Sequence, residues 1–316
     1  MPKLGLLAMM LWLMFVYQLG WCAQPLIKTT SRQTQTLPVF HSIHAQGRIN
    51  LTLHTGFKRP RLTLKGQAMD VANLMIKVQN DTLFLKVNAG YPKIAAIQAD
   101  LYLPFLTDLS YLGVGVIKGR ALRTKRLSLL IDNSMTTTLS GALNLRDLTV
   151  RGNSHVRLNG IQSPHLNLTI AGLSTVQLQG DMNLPDIVMP ASGNLRVQGL
   201  RSRYVRVQMG GHAHLELAGK AEKLDADVSG HALFNGRYLR VFNSYVKTHD
   251  HALATLNTAD KQHTLALDAS DIYFFDLPRL RADLMADNGA VLDMRDWYSV
   301  YLEPYTPLNR DYMSRS

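Results

Sequence analysis

Basic side chains return at similar intervals through the last two thirds of the chain: Arg120, Arg123 and Lys125, Arg146, Arg201 and Arg203, Lys220 and Lys223, Arg237 and Arg240, Arg279 and Arg281. Guanidinium and ammonium groups in such a series offer an extended anion many weak contacts at once. Nine arginines are therefore the candidate ligand-binding column: Arg120, Arg123, Arg146, Arg201, Arg203, Arg237, Arg240, Arg279 and Arg281. A second series is histidine, at His212, His214, His231, His249 and His251. Imidazoles brought together could hold a divalent transition metal or respond to mild acid. No carboxylate or cysteine spacing completes a metal motif, so no metal site is assigned. Carboxylates form the third group, with Asp268, Asp271 and Asp276 in neighbouring turns and Asp225 and Asp227 flanking Ala226. Such groups could serve acid and base roles on a polysaccharide, but Asp is also a favoured turn residue that caps local backbone. Nothing in the chain reads as a nucleophile elbow, phosphate loop or zinc signature. No catalytic residue and no cofactor is assigned.

These side chains are placed by a repeat of about 19 to 20 residues. One series of small or polar residues runs Asn133, Gly152, Gly172, Gly193, Gly211, Gly230, Asp250, Ser270 and Gly289. Another keeps step with it at Gly141, Gly160, Gly180, Gly199, Gly219, Gly236, Asn257 and Asp276. Each repeat thus has two corners that want a residue tolerant of positive φ. Two and four residues before the second corner stand apolar pairs such as Val156 and Leu158, Val176 and Leu178, Leu195 and Val197, Leu215 and Leu217, and Ile272 and Phe274. Before the first corner, Leu166-Leu168-Ile170, Val205-Val207-Met209, Leu224-Ala226-Val228, Leu265-Leu267-Ala269 and Leu280-Ala282-Leu284 alternate in the same way. Period-two alternation of this kind sends the apolar residues to one face of a strand. A connection of five to seven residues, carrying the basic side chains, completes each unit.

No single unit could bury its inward side chains, whereas stacking units about 4.8 Å apart builds a continuous apolar column. The fold class expected is all-β, a β-solenoid or β-helix-like stack of such coils with an N-terminal β cap. Glu occurs only at Glu216, Glu222 and Glu303, which also disfavours a helical protein. Nine coils would make a rod roughly 40 Å long, with edges at both ends that need covering. From Leu37 to Val116 the strands have another layout, including a hairpin signal at Asn80-Asp81.

The remaining segments are assigned as follows. Residues 1–23 read as an export signal, with Lys3 followed by the apolar run Leu4 to Leu19. An uncleaved anchor is the alternative, because that run approaches spanning length. The cut is open between Cys22 and Ala23. Trp21 departs from the small residue that lipidation of Cys22, the one cysteine, would want before it. Residues 24–36 form a polar leader expected to be flexible, 37–296 the solenoid domain (37–116 N-terminal strands, 117–296 repeats), and 297–316 a tyrosine-rich tail that would lie over the far end. Net charge is +11, and +10 without Lys3, which favours an anionic partner.

At this point the residues resemble a family, the autotransporter adhesin head or GIN domain found in exported bacterial proteins. The likeness is carried by "VFHSIHAQGRINLTLHTG" from Val39, "NDTLFLKV" from Asn80, "ADLYLPFLTDLSYLGVG" from Ala99, and repeats such as "LTIAGLSTVQLQG" and "ADVSGHALFNG". It covers roughly Leu37 to Asp296 and implies a β-solenoid outside the cytoplasm, concerned with adhesion and without established enzymatic chemistry. The strong basic charge and the tyrosine-rich tail depart from the usual pattern. Function is therefore expected to be binding of an anionic surface ligand such as polysaccharide or lipopolysaccharide by an exported, non-enzymatic module in the periplasm, on the outer surface or secreted. A polysaccharide-acting β-helix enzyme and a periplasmic scaffold are the alternatives. Nucleic acid is the weaker partner, since no aromatic ladder interleaves the charges. Membrane contact is expected only if the N-terminal segment stays uncut.

Overall fold

A computed structural model of the chain describes residues 30–93, 95–275 and 279–294. It is a β-solenoid of about nine turns, with 74% of the described residues in strands and 2% in helix. The signal segment 1–23 with Cys22, the tail 297–316 and the corner at Asp276 lie outside the described residues.

Each coil has three faces. In the coil that begins at His212, the strand His212–Val228 runs through all of them, turning at Gly219, where pairing to the preceding coil shifts register. The first face carries Leu215 and Leu217 inward and pairs in parallel with Leu195 and Val197 of the coil before. The third face carries Leu224, Ala226 and Val228 inward, beside Val205, Val207 and Met209. The segment expected as a variable connection is itself a short second face. Its residues pair across coils, Leu200 with Gly219 and Gly219 with Leu239. Backbone groups there need partners as much as anywhere else, and the neighbouring coil supplies them.

The corners are built in two ways. Glycine takes positive φ at most of them, and Asp250 does so at φ 58. Elsewhere a buried side chain does the work. Asn133, 1% exposed, has no positive φ; its amide donates to Gly115 O at 2.7 Å, and its Oδ1 accepts from the N–H groups of Gly115 and Met135 at 3.2 and 3.0 Å. Ser270 likewise is a buried hydroxyl donating to Leu267 O at 2.6 Å, while Asp268 two residues earlier takes φ 58. Removal of a buried amide leaves several main-chain groups unpaired at one to three kcal/mol each. Asn133→Ala is therefore expected to cost about 3 kcal/mol, read as a lowered urea midpoint with unchanged m.

The N-terminal strands do more than cover an end. Ser42–Gly47 lies in parallel between Thr82–Val87 and Leu106–Gly113, and Ile49–Thr55 between Ile97–Leu103 and the start of Ile117–Asn133. The second and third strands in sequence are thus inserted between strands formed later. Tyr111 locks that insertion: its buried hydroxyl donates to Gly47 O or Ile49 O at 3.0 and 2.8 Å, and burial pushes its pKa up to about 12. The outermost layer is antiparallel. Leu74–Gln79 forms a hairpin with Thr82–Val87 through Asn80 and Asp81, both at positive φ as a two-residue primed turn requires. Arg61–Gln67 pairs with Ile97–Leu103, and a five-residue helix, Ala68–Ala72, connects the two sides. Within the polar leader, Thr30–Thr36 is a β-strand antiparallel to Arg61–Gln67 rather than a flexible lead-in. Its alternation is weak because only one edge is paired and nearly every side chain is exposed, so polar residues suffice.

Toward the C-terminal end the inward register departs from the apolar reading. In Thr258–Leu267 the buried residues are Thr258, Gln262, Thr264 and Ala266, whereas Leu265 and Leu267 are half-exposed. Pairing of Gln262 with Ser244 and of Thr264 with Val246 sets the parity of the strand, and parity decides which set faces in. Leu284, expected inward, is 42% exposed in Arg281–Asp287, which pairs on one side with Thr258–Leu267. Both amide atoms of fully buried Gln262 lack a hydrogen-bond partner among the described residues. Gln262→Leu is expected to raise stability by about 1–2 kcal/mol by removing that desolvation cost. A urea midpoint at or below that of the parent would mean that the amide is used there.

Candidate ligand-binding faces

The stack sorts the nine arginines into separate places. On the second face Arg201 pairs in register with Lys220, and Lys220 with Arg240, which puts three cations on adjacent strands. All three are exposed, as is Arg203 at the corner beyond. Inward neighbours Leu200, Ala221 and Val241 hold these side chains outward by strand alternation. Tyr238 and Phe242 flank Arg240 on the same strand at i ± 2 and are 37% and 55% exposed. Asp181 stands 3.5 Å from Arg201 and partly offsets its charge.

The remaining candidates do not join this row. Arg120 and Arg123 are exposed some coils away, and Ala142, Gln162 and Asp181 occupy the same face between Arg123 and Arg201. Arg146 turns to the third face, where it bonds Asp147 and, at 2.9 Å, Ser128. Arg237 lies with its guanidinium 5.2 Å from the Phe275 ring. Arg281 is on the third face in the row Tyr204, Lys223, Asn243, Lys261, and its guanidinium meets Asp260 at 2.8 Å. Arg279, exposed, precedes it by two residues.

Three of the five histidines stack: His212 on His231 at 5.1 Å between centroids and 5° between planes, His231 on His251 at 5.0 Å and 24°. Face-to-face rings place their nitrogens side by side rather than around a common point. Among the described residues no group of three or more His, Cys, Asp or Glu converges on a metal position. His214 falls in another row, opposite Leu233, and His249 lies 3.4 Å from Asp227.

The four described aspartates of that group, Asp225, Asp227, Asp268 and Asp271, are engaged in local structure. Asp225 accepts from the Tyr204 hydroxyl at 2.9 Å, Asp268 from the Asp250 N–H at 3.2 Å, and Asp271 from the Tyr273 hydroxyl at 3.4 Å. A third-face cluster escaped sequence reading: Lys223 lies 5.6 Å from the Tyr204 ring and 4.7 Å from that of Tyr245, which stacks on His263 at 5.0 Å. Its signal was present in the period, since Tyr204, Lys223, Asn243 and Lys261 are spaced 18 to 20 apart.

No curated protein matches the sequence. Among solved structures, a putative adhesin from Parabacteroides merdae is 14% identical over 84% of this chain and 96% of its own, with a TM-score of 0.46. One from Parabacteroides distasonis is 12% identical over 85% and 98%, with a TM-score of 0.43. A structure named as a putative lipid binding protein, also from Parabacteroides distasonis, is 12% identical over 84% and 97%, with a TM-score of 0.37. The family described as "Putative auto-transporter adhesin, head GIN domain" matches residues 39–202 and, in an overlapping second match, 141–275. The chain belongs to this adhesin head GIN domain family.

Proposed function

We propose that the chain is an exported, non-enzymatic adhesion or cell-envelope binding module that holds an anionic surface ligand, such as polysaccharide or lipopolysaccharide, on its second face. The observation that carries this reading is the register pairing of Arg201, Lys220 and Arg240. Strand spacing holds their backbones about 4.8 Å apart, close enough for one polyanion to meet all three. Like charges held so close repel, and an anion relieves that cost. Net charge of +11 draws such ligands toward the surface from a distance. Engagement of Asp225, Asp268 and Asp271 in turn and strand contacts favours a structural role for them.

The test is retention on immobilised heparin and lipopolysaccharide by the triple variant Arg201→Ser, Lys220→Ser, Arg240→Ser, read against salt. Release of sugar products from acidic polysaccharide by the parent protein would overturn the non-enzymatic part.

A further inference from the structure

The third face of the N-terminal half carries a groove of about 480 Å³ that none of the sequence features above foresees. Two outward rows form it. In the first, Thr82, Ser42, Asp108, Ser128, Asp147 and Asn167 lie in register on six successive strands. In the second, two residues along each strand, stand Phe84, His44, Ser110, Leu130, Thr149 and Thr169. Small side chains at Ser42, Ser110, Ser128 and Thr149 open the trough, and the His44 and Phe84 rings, 5.7 Å apart, wall one end.

The polar row is already organised. Ser42 donates to Asp108 Oδ2 at 3.0 Å, and Ser128 donates to Asp147 Oδ2 at 2.9 Å. Asn167 donates to Asp147 Oδ1 at 2.8 Å, and Arg146 donates both to that carboxylate and to Ser128. The Asn167 amide, with Arg146 and Ser128, holds the Asp147 carboxyl below the usual carboxylate range, so it remains an acceptor at neutral pH. Asp108 and Asp147 are separated by the one strand bearing Ser128, two strand spacings or about 9.6 Å. That distance is close to two rings of an extended sugar chain.

We propose that this groove binds a neutral, extended oligosaccharide, with sugar hydroxyls donating to Asp108 and Asp147 and the C–H faces of the rings against Leu130, His44 and Phe84. Oriented carboxylates are strong acceptors for hydroxyl donors, and an apolar wall takes the other side of a sugar. Two carboxylates against a single guanidinium, itself bound to one of them, repel anions. The groove therefore selects against the ligand class proposed for the second face and stands independently of it.

The experiment is isothermal titration of the full chain with tetra-N-acetylchitotetraose, cellotetraose and a linear mannotetraose, with heparin and calcium chloride as separate titrants. At least one neutral tetrasaccharide is expected to bind with a Kd of about 1 mM or below. Asp108→Ala should weaken it about tenfold and Ser110→Trp abolish it, both with a parental thermal melt; if Ser110→Trp fails to fold, Thr149→Tyr fills the same trough. The triple variant of Arg201, Lys220 and Arg240 should bind the sugar like the parent. Absence of heat from all three sugars at about 10 mM, equal binding by the groove variants, or a response to calcium alone would overturn the proposal.

Discussion

Gly219→Val is expected to destabilise the protein by about 4 kcal/mol, the largest single-residue effect anticipated here. Gly219 sits at φ +144 at the corner between the first and second faces, and a Cβ built there falls on the carbonyl oxygen and amide nitrogen of Leu200 in the preceding coil. Two costs combine. A branched residue in this region of φ is strained by about 1–3 kcal/mol, and forcing a methyl group into a closed contact adds a similar amount. Lateral movement gives no relief, because Leu200 and Leu239 both pair with Gly219 from opposite sides. Gly56→Ala separates the terms: Gly56 has φ +97, yet nothing lies within 4 Å of the added Cβ, so strain alone of about 1 kcal/mol is expected. The check is a urea melt of both variants. A loss for Gly219→Val no greater than that for Gly56→Ala would show that the coils do not depend on this close approach.

That dependence explains why the repeat is readable in the sequence. A corner where one backbone presses on the next admits glycine and little else, so Gly141, Gly160, Gly180, Gly199 and Gly219 mark the coil directly. The reading fails where another device turns the chain. Asn133 and Ser270 look like backbone corners by position but act through buried side chains, and Ala121 takes φ 51 with no turn signal at all. Register beyond an irregular corner is similarly hidden. Nothing local says that Gln262 and Thr264 face in while Leu265 faces out, because one residue of slip inverts the faces and only pairing with Ser244 and Val246 sets it.

Function is legible to a lesser degree for a related reason. The period converts sequence distance into neighbourhood only if the coil length is constant between the residues compared. Arg201, Lys220 and Arg240 satisfy this and align. Arg146 and Arg281 have similar spacing from other basic residues yet lie on the third face, because they follow the second face rather than occupy it. The groove was invisible for the opposite reason. Ser42 and Asp108 are 66 residues apart and meet because the strand Ser42–Gly47 is inserted between later strands, an arrangement that no repeat announces.

The second-face ladder supplies the other large effect. Replacing Arg201, Lys220 and Arg240 together by Ser is expected to weaken binding to lipopolysaccharide-coated surfaces about a hundredfold, from about 1 kcal/mol per cation at an anionic surface. Three removed contacts should also lower the dependence of log K on log salt by about two to three. The Asp181 carboxylate near Arg201 places the expectation at the lower end. Charge loss alone would weaken any anion, so a matched control is needed: Lys118→Ser, Arg157→Ser and Arg196→Ser removes three exposed cations from the first face. Those three are spread along the row rather than adjacent, with Thr138 between Lys118 and Arg157, Gln177 between Arg157 and Arg196, and Glu216 paired to Arg196 at 2.8 Å. A local ladder predicts a small change for the control and a large one for the second-face triple. Equal loss in both would assign the affinity to net charge and remove the ladder as a site. Phe242→Ser in the parent background then tests whether the exposed ring beside Arg240 contributes apolar contact, seen as lost binding with an unchanged salt slope.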